Sequence, residues 1–237
     1  SAREPLAARF YQRRLAVAWG QHAVERTRQL FGQALGYTPA EGLGDYGLDR
    51  SALGAEAATT PYVVLLHGTT WVTKHWPELY WRQLAEQLVA AGVEVRLPWG
   101  SLDEQARALR IAEGLEGAVV LPRLPLRDVA RQLAGASACV AVDTGLGHLA
   151  AALDVPTLSL FGPTNPGFTG AYGAVQQHLA SDFACAPCLR KQCSYQPTPE
   201  DARRFDLTRE QPLCFTRLNP DRVMQQLQSL LPNKRVV

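Results

Sequence analysis

Missing from this sequence is any apolar run of the roughly 18–20 residues that span a bilayer, and its opening does not read as a secretory signal. A cytoplasmic protein is therefore the expectation. A surplus of one charge is missing too: 24 Lys and Arg against 22 Asp and Glu leave a net charge of +2, too small to argue for nucleic acid. There is no G-x-x-x-x-G-K-[ST] loop, which argues against an NTPase of that type, and no strand-flanked G-x-G-x-x-G, which weakens a nicotinamide reading. No D-x-D pair is available to chelate a metal on a sugar nucleotide. Internal repeats and low-complexity tracts are absent as well. The chain starts at Ser1, in SAREPLAARFYQRR, without an initiating Met or an opening strand, so a cut through a longer protein is expected.

What is present is the composition of a soluble globular protein, 46% hydrophobic and 19% charged over 237 residues, enough for one large domain or two small ones. The organising stretch runs from Ala138 to Thr164. An apolar run, Ala138 to Val142, stops at Asp143-Thr144-Gly145. A helical pattern then carries Leu146, Leu149, Ala150 and Leu153, Asp154-Val155-Pro156 breaks it, and Thr157 to Phe161 leads to Gly162-Pro163-Thr164. Strand, helix and strand with short connections make the parallel unit of an open α/β sheet. Its first turn sets a carboxylate, a hydroxyl, Gly145, Gly147 and His148 at a helix N-terminus, whose unpaired N–H groups suit an anion such as a diphosphate.

Residues 1–37 read as helix, with Leu6, Phe10 and Tyr11 and then Val24, Leu30, Phe31 and Leu35 at helical spacing. Arg3, Arg9, Arg13, Arg14, Arg26 and Arg28 make the polar side basic. That side is either a solvated face or a surface for an acidic substrate or anionic headgroups. Residues 38–60 read as an interdomain linker with room for one short strand. An α/β series follows, with strands at Tyr62–Leu66, Val93–Leu97 and Ala118–Leu121 and helices at Pro77–Ala91, Ser101–Gly114 and Leu126–Ala134. Pro220 starts a terminal amphipathic helix carrying Val223, Leu227, Leu230 and Leu231.

The loop after the first strand of the series, HGTTWVTKHWPE, offers hydroxyls, backbone N–H groups and Lys74, the unpaired positive charge of the neighbourhood. Those groups suit phosphate oxygens; a capping Thr and a solvated Lys are the plainer alternative. Asp103 and Glu104, after Leu97-Pro98-Trp99-Gly100-Ser101, either accept from ribose hydroxyls or serve as first-turn acids. Leu124 either flanks a flat base or packs in the core. Cys185, Cys188, Cys193 and Cys214 could hold a structural zinc, stay reduced or pair as a disulfide, while Cys139 reads as core.

Together these motifs resemble the ADP-heptose:lipopolysaccharide heptosyltransferase family over essentially the whole chain, most closely its branch that attaches heptose to Kdo. The carriers are SAREPLA with FYQRR, HAVERTR, GDY, LPWG, GPT-x-PG-x2-GxYG and, most specifically, KHWPE and VDTGLxHL-x-AALD-x-P. The resemblance implies a GT-B fold of two Rossmann-like domains with the active site between them. It makes residues 1–60 a remnant of the acceptor-binding domain plus linker, 61–218 the donor-binding domain, and 219–237 a terminal helix and tail.

By position, the resemblance gives catalytic roles to Lys74, which would stabilise leaving ADP, and Asp143, which would orient heptose. Thr69 and Thr70 would contact diphosphate or heptose, Glu104 the ribose and Leu124 the adenine. Thr144, Gly145 and His148 would meet the diphosphate, with Leu146 in the same turn, and Arg3 and Arg26 the acceptor phosphates. The donor is then ADP-L-glycero-D-manno-heptose and the acceptor Kdo2-lipid A, in an inverting transfer of lipopolysaccharide inner-core synthesis. The enzyme would sit on the cytoplasmic face of the inner membrane, with no cofactor, metal or nucleic-acid partner. The general base would lie on an amino-terminal sheet outside these residues, so this chain would bind donor and transfer little. The 185–214 stretch is longer than in that branch and leaves the exact acceptor open. The alternatives are a non-catalytic nucleotide-sugar module and a related GT-B transferase or epimerase.

Overall fold

A computed structural model describes residues 6–54 and 60–231. Six strands, β1 Tyr62–Leu66, β2 Glu94–Leu97, β3 Ala118–Val120, β4 Ala138–Val142, β5 Thr157–Phe161 and β6 Gln176–Ala180, form one parallel sheet in the order β3-β2-β1-β4-β5-β6. β1, β4 and β5 are buried at every residue, which explains their unbroken apolar runs: helices cover both faces of a parallel sheet. Alternate residues of β1 serve the two cores. Val63 and Leu65 face helices α2 (Glu78–Ala90), α3 (Leu102–Ala112) and, past the last strand, the terminal helix Pro220–Gln228. Tyr62, Val64 and Leu66 face α4 (Leu126–Ala134) and α5 (Gly145–Ala152). The α/β class and parallel sheet agree with the sequence, and five of the six strands lie within a residue of the predicted bounds.

The start of the chain differs from expectation. Among the described residues up to 37, a 3-10 turn at Ala7–Phe10 and helix α1, Ala23–Leu35, are helical, and 11–22 is not. There Leu15 and Val17 turn inward while Ala16 is exposed, a period of two rather than 3.6, and Gly20 sits at φ +92°. α1 begins where the His22 ring accepts from the Val24 N–H and ends at left-handed Gly36. Its Leu30, Phe31 and Leu35 are exposed rather than packed. Residues 38–54 hold no strand, only a 3-10 turn at Ser51–Leu53.

The sequence reading also missed β6 and two short helices, α6 (Pro166–Thr169) and α7 (Pro199–Arg204). The terminal helix, α8, was expected and starts at Pro220 behind an Asn219 cap. It packs in the same core as α2, where buried Trp76 donates its ring N–H to the Leu218 carbonyl at 2.8 Å. No helix among the described residues is long and apolar enough to cross a membrane.

Candidate functional site

β1 and β4 are neighbours at the point where the strand order reverses, the usual ligand crevice of an open parallel sheet. Over their carboxyl ends, and over that of β2, lies a cleft of about 720 Å3. Ten of the twelve residues expected to bind substrate line it: Thr69, Thr70 and Lys74 after β1, Glu104 on α3, Leu124 before α4, and Asp143, Thr144, Gly145, Leu146 and His148 after β4.

The centre of the cleft is an ion pair. Lys74 Nζ lies 2.7 Å from Asp143 Oδ2, with only 16% and 10% of the two side chains exposed. The lysine expected to be unpaired is therefore matched, because the turn Val72–Lys74 brings it to the end of β4. Thr164 donates to the same Asp143 oxygen at 2.8 Å, and Thr69 donates to the Asp143 backbone carbonyl at 3.1 Å. Three strand-end loops thus converge on one carboxylate. Asp143 Oδ1 takes no hydrogen bond from the described residues.

Thr144 caps α5 through backbone geometry alone and makes no side-chain cap bond, so the first N–H groups of the helix stay open to an acceptor in the cleft. His148 follows one turn on, exposed at the rim. Partial burial of its ring lowers its pKa against the opposing pull of Asp143, which favours the neutral form. The turn reads Gly145-Leu146-Gly147-His148-Leu149-Ala150, a G-x-G-x-x-A after a strand, and sequence reasoning passed it over by requiring a third glycine. Gly147 is the packing glycine: a Cβ there would lie 3.4 Å from that of Ala141 on β4.

Glu104 is a helix cap with one carboxylate oxygen left over. Its Oε2 accepts from the Gly100 and Ser101 N–H groups, at 2.7 and 3.2 Å, closing a capping box with Ser101. Its Oε1 takes no bond from the described residues and points past Gly68, where a Cβ would come within 2.3 Å of it. Ala at 68 therefore has to swing Glu104 aside. Gly68→Ala is expected to cost less than ~1 kcal/mol of stability, the order of a lost cap, while removing the carboxylate from its place. The check is titration with ADP and 2′,3′-dideoxy-ADP: discrimination between them should collapse in the variant and leave the weaker ligand unaffected.

Leu66, Leu124, Leu126, Val129 and Trp99 give this end of the cleft an apolar wall. Trp99 is fixed by its ring N–H, which donates to the Leu121 carbonyl at 2.6 Å. Leu126 and Val129 were not picked from sequence, since nothing separates them from the core pattern of α4. In KHWPE only Lys74 enters the cleft. Trp76 is core, Glu78 pairs with Arg110 through two bonds of 2.7 Å, and His75 meets Arg107.

Two expected substrate residues lie elsewhere. Arg3 is outside the described residues. Arg26 stacks on Trp19, its guanidinium carbon 3.8 Å from the ring centroid, and lines a separate groove beside α1. The cysteines are all free thiols, and among the described residues no three His, Cys, Asp or Glu side chains converge to hold a metal. Cys214 is buried against Gly162 while Cys193 is exposed, and the Cys185, Cys188 and Cys193 thiols lie near enough to Cys214 to help burial raise its pKa.

The model of the family described as glycosyltransferase family 9 (heptosyltransferase) matches residues 1–198. Lipopolysaccharide heptosyltransferase 1 of Pseudomonas aeruginosa is 71% identical over 231 residues, 98% of this chain and 65% of its own length. The structure of E. coli heptosyltransferase WaaC with ADP superposes at a TM-score of 0.75 and 39% identity, over 97% of this chain and 63% of that one. The same enzyme with ADP-2-deoxy-2-fluoro heptose gives a TM-score of 0.71 and 38% identity, over 97% and 62%. The chain therefore spans just under two thirds of the length of these relatives.

Proposed function

Since this chain belongs to glycosyltransferase family 9, the heptosyltransferases, we propose that its cleft holds the ADP-heptose donor of a lipopolysaccharide heptosyltransferase. The observation that carries the reading is the meeting of the Lys74–Asp143 pair with the open N-terminus of α5 at the strand-order reversal. A cation and a row of unpaired N–H groups form a seat for a diphosphate that needs no metal. On either side of it lie an apolar wall with Glu104, fit for adenosine, and the Asp143 and Thr164 oxygens, fit for sugar hydroxyls.

The mechanism follows from the same geometry. As the anomeric carbon–oxygen bond breaks, charge grows on the departing diphosphate, and Lys74 is placed to stabilise it. Of the ammonium's three donors one meets Asp143, so two remain for phosphate oxygen as the lysine shifts toward it. Asp143 is poorly suited as general base, because Lys74 and Thr164 both bind its Oδ2. Its role is to orient heptose and hold Lys74. The acceptor is Kdo of Kdo2-lipid A, attacked through one inverting displacement, with the enzyme resting on the inner-membrane surface. The domain limits 1–60, 61–218 and 219–237 belong to the same reading.

Calorimetric titration with ADP, UDP and GDP tests the donor assignment. Tighter binding of ADP than of the other two supports it. Equal binding of all three, unchanged by Lys74→Ala or Asp143→Ala, overturns it.

A further inference from the structure

The geometry points to Arg107 as a positioning residue that sets Lys74 for the diphosphate through His75, an inference that rests on the donor-site reading above. Arg107 does not line the cleft. It sits on α3 one turn beyond Glu104 and reaches back beneath the loop after β1. Its Nη1 lies 3.0 Å from His75 Nδ1 and 3.5 Å from the carbonyl of His67. His75 follows Lys74 directly, at the end of the turn Val72–Lys74, and His67 ends β1 directly before Gly68-Thr69-Thr70. One guanidinium thus grips the phosphate-facing loop at both its ends, from the helix that presents Glu104.

The chemistry at His75 fits that grip. Guanidinium can only donate, so His75 Nδ1 must be the acceptor and the ring neutral, with its proton on Nε2. Burial and then the Arg107 charge lower the His75 pKa, which keeps it so. His67 is buried with neither ring nitrogen hydrogen-bonded and cannot replace Arg107 as a donor to His75 without leaving its own packing against Trp81. Among the described residues Lys74 is otherwise anchored by Asp143, itself part of the seat, and by its approach to the Trp71 ring. Arg107 supplies the anchor that does not depend on the ligand.

A double-mutant cycle on ADP affinity tests this. Arg107→Ala is expected to weaken ADP binding five- to tenfold when Lys74 is present and less than twofold in Lys74→Ala, because the effect travels through the lysine. His75→Phe, which keeps a ring but removes the acceptor, should reproduce the loss and covers the case in which Arg107→Ala fails to fold. Arg107→Lys, shorter and without the planar fork, should fall between. Nitrogen NMR gives a readout free of ADP: His75 should show the Nε2–H tautomer in the parent chain and mixed tautomers in Arg107→Ala. An Arg107→Ala loss of equal size with and without Lys74, or parent-like ADP affinity in both Arg107→Ala and His75→Phe, overturns the role. Failure of the parent chain to bind ADP removes the donor site, whereas ADP binding that responds to Lys74→Ala but not to Arg107→Ala removes this inference alone.

Discussion

Lys74→Ala is expected to weaken ADP binding about a hundredfold, or ~2.8 kcal/mol at 1.4 kcal/mol per tenfold. A unit charge 4 Å from a phosphate charge is worth ~4 kcal/mol at an effective dielectric constant of about 20, and a diphosphate carries more than one such charge. Against this stands what Lys74 gives up on turning partly from Asp143, so the net is smaller than the gross attraction. Losing the lysine also leaves Asp143, its side chain only 10% exposed, as an unneutralised anion in the diphosphate seat. Asp143→Asn should act in the opposite direction. The amide still meets Thr164, Lys74 is released, and ADP should bind as well as before or up to ~threefold tighter, while heptose-bearing donor loses its gain over ADP. Calorimetry at fixed ionic strength separates these cases, since salt screens the partly exposed charges. A Lys74→Ala affinity within twofold of the parent would remove the lysine from the site.

The largest effect on stability is expected from Trp76→Ala, at about 3–5 kcal/mol. The ring is 1% exposed and stands edge-on to Trp81 at 4.9 Å and Tyr80 at 5.6 Å. Its loss leaves a cavity between α2 and the end of the chain, and strands the buried Leu218 carbonyl that it had served. Domains hold only ~5–15 kcal/mol in total, so a large share of the margin goes with one side chain. Urea unfolding should show a lower midpoint at an unchanged slope. Leu102→Ala, at a position 76% exposed, is the control and should stay within ~0.5 kcal/mol. A Trp76→Ala loss below 1 kcal/mol would mean that the terminal helix is not held through this contact.

The sequence was most readable where one physical rule acted alone. β1, β4 and β5 are continuous apolar runs between turns, and burial on both faces allows nothing else. β6 was hidden because Gln176-Gln177-His178-Leu179-Ala180 is an edge strand of mostly polar residues, fixed by pairing with β5 rather than by its own pattern. Residues 11–22 were misread because the helical spacing on either side was carried across a stretch whose own inward positions, Leu15 and Val17, repeat every two residues. In the site, Lys74 and Asp143 could be picked as residue types suited to a diphosphate, but their pairing depends on β1 lying beside β4, which no local spacing reveals. Glu104 could not be assigned between cap and ligand, and the structure shows why: one oxygen caps α3 while the other stands unbonded beside Gly68. Arg107 had no sequence signal at all, since its partners lie 32 and 40 positions away.

The reversal of strand order also divides the cleft. The loops after β2 and β3 carry groups suited to adenosine, while those after β4 and β5 carry groups suited to a sugar, and the two wings lie on opposite sides of the Lys74–Asp143 pair. Each wing can change its loops without disturbing the other's backbone. On the proposed donor reading, substitutions in the loops after β4 and β5 would change the sugar contacts and leave the adenosine wall in place, with the Lys74–Asp143 salt bridge as the seam between them.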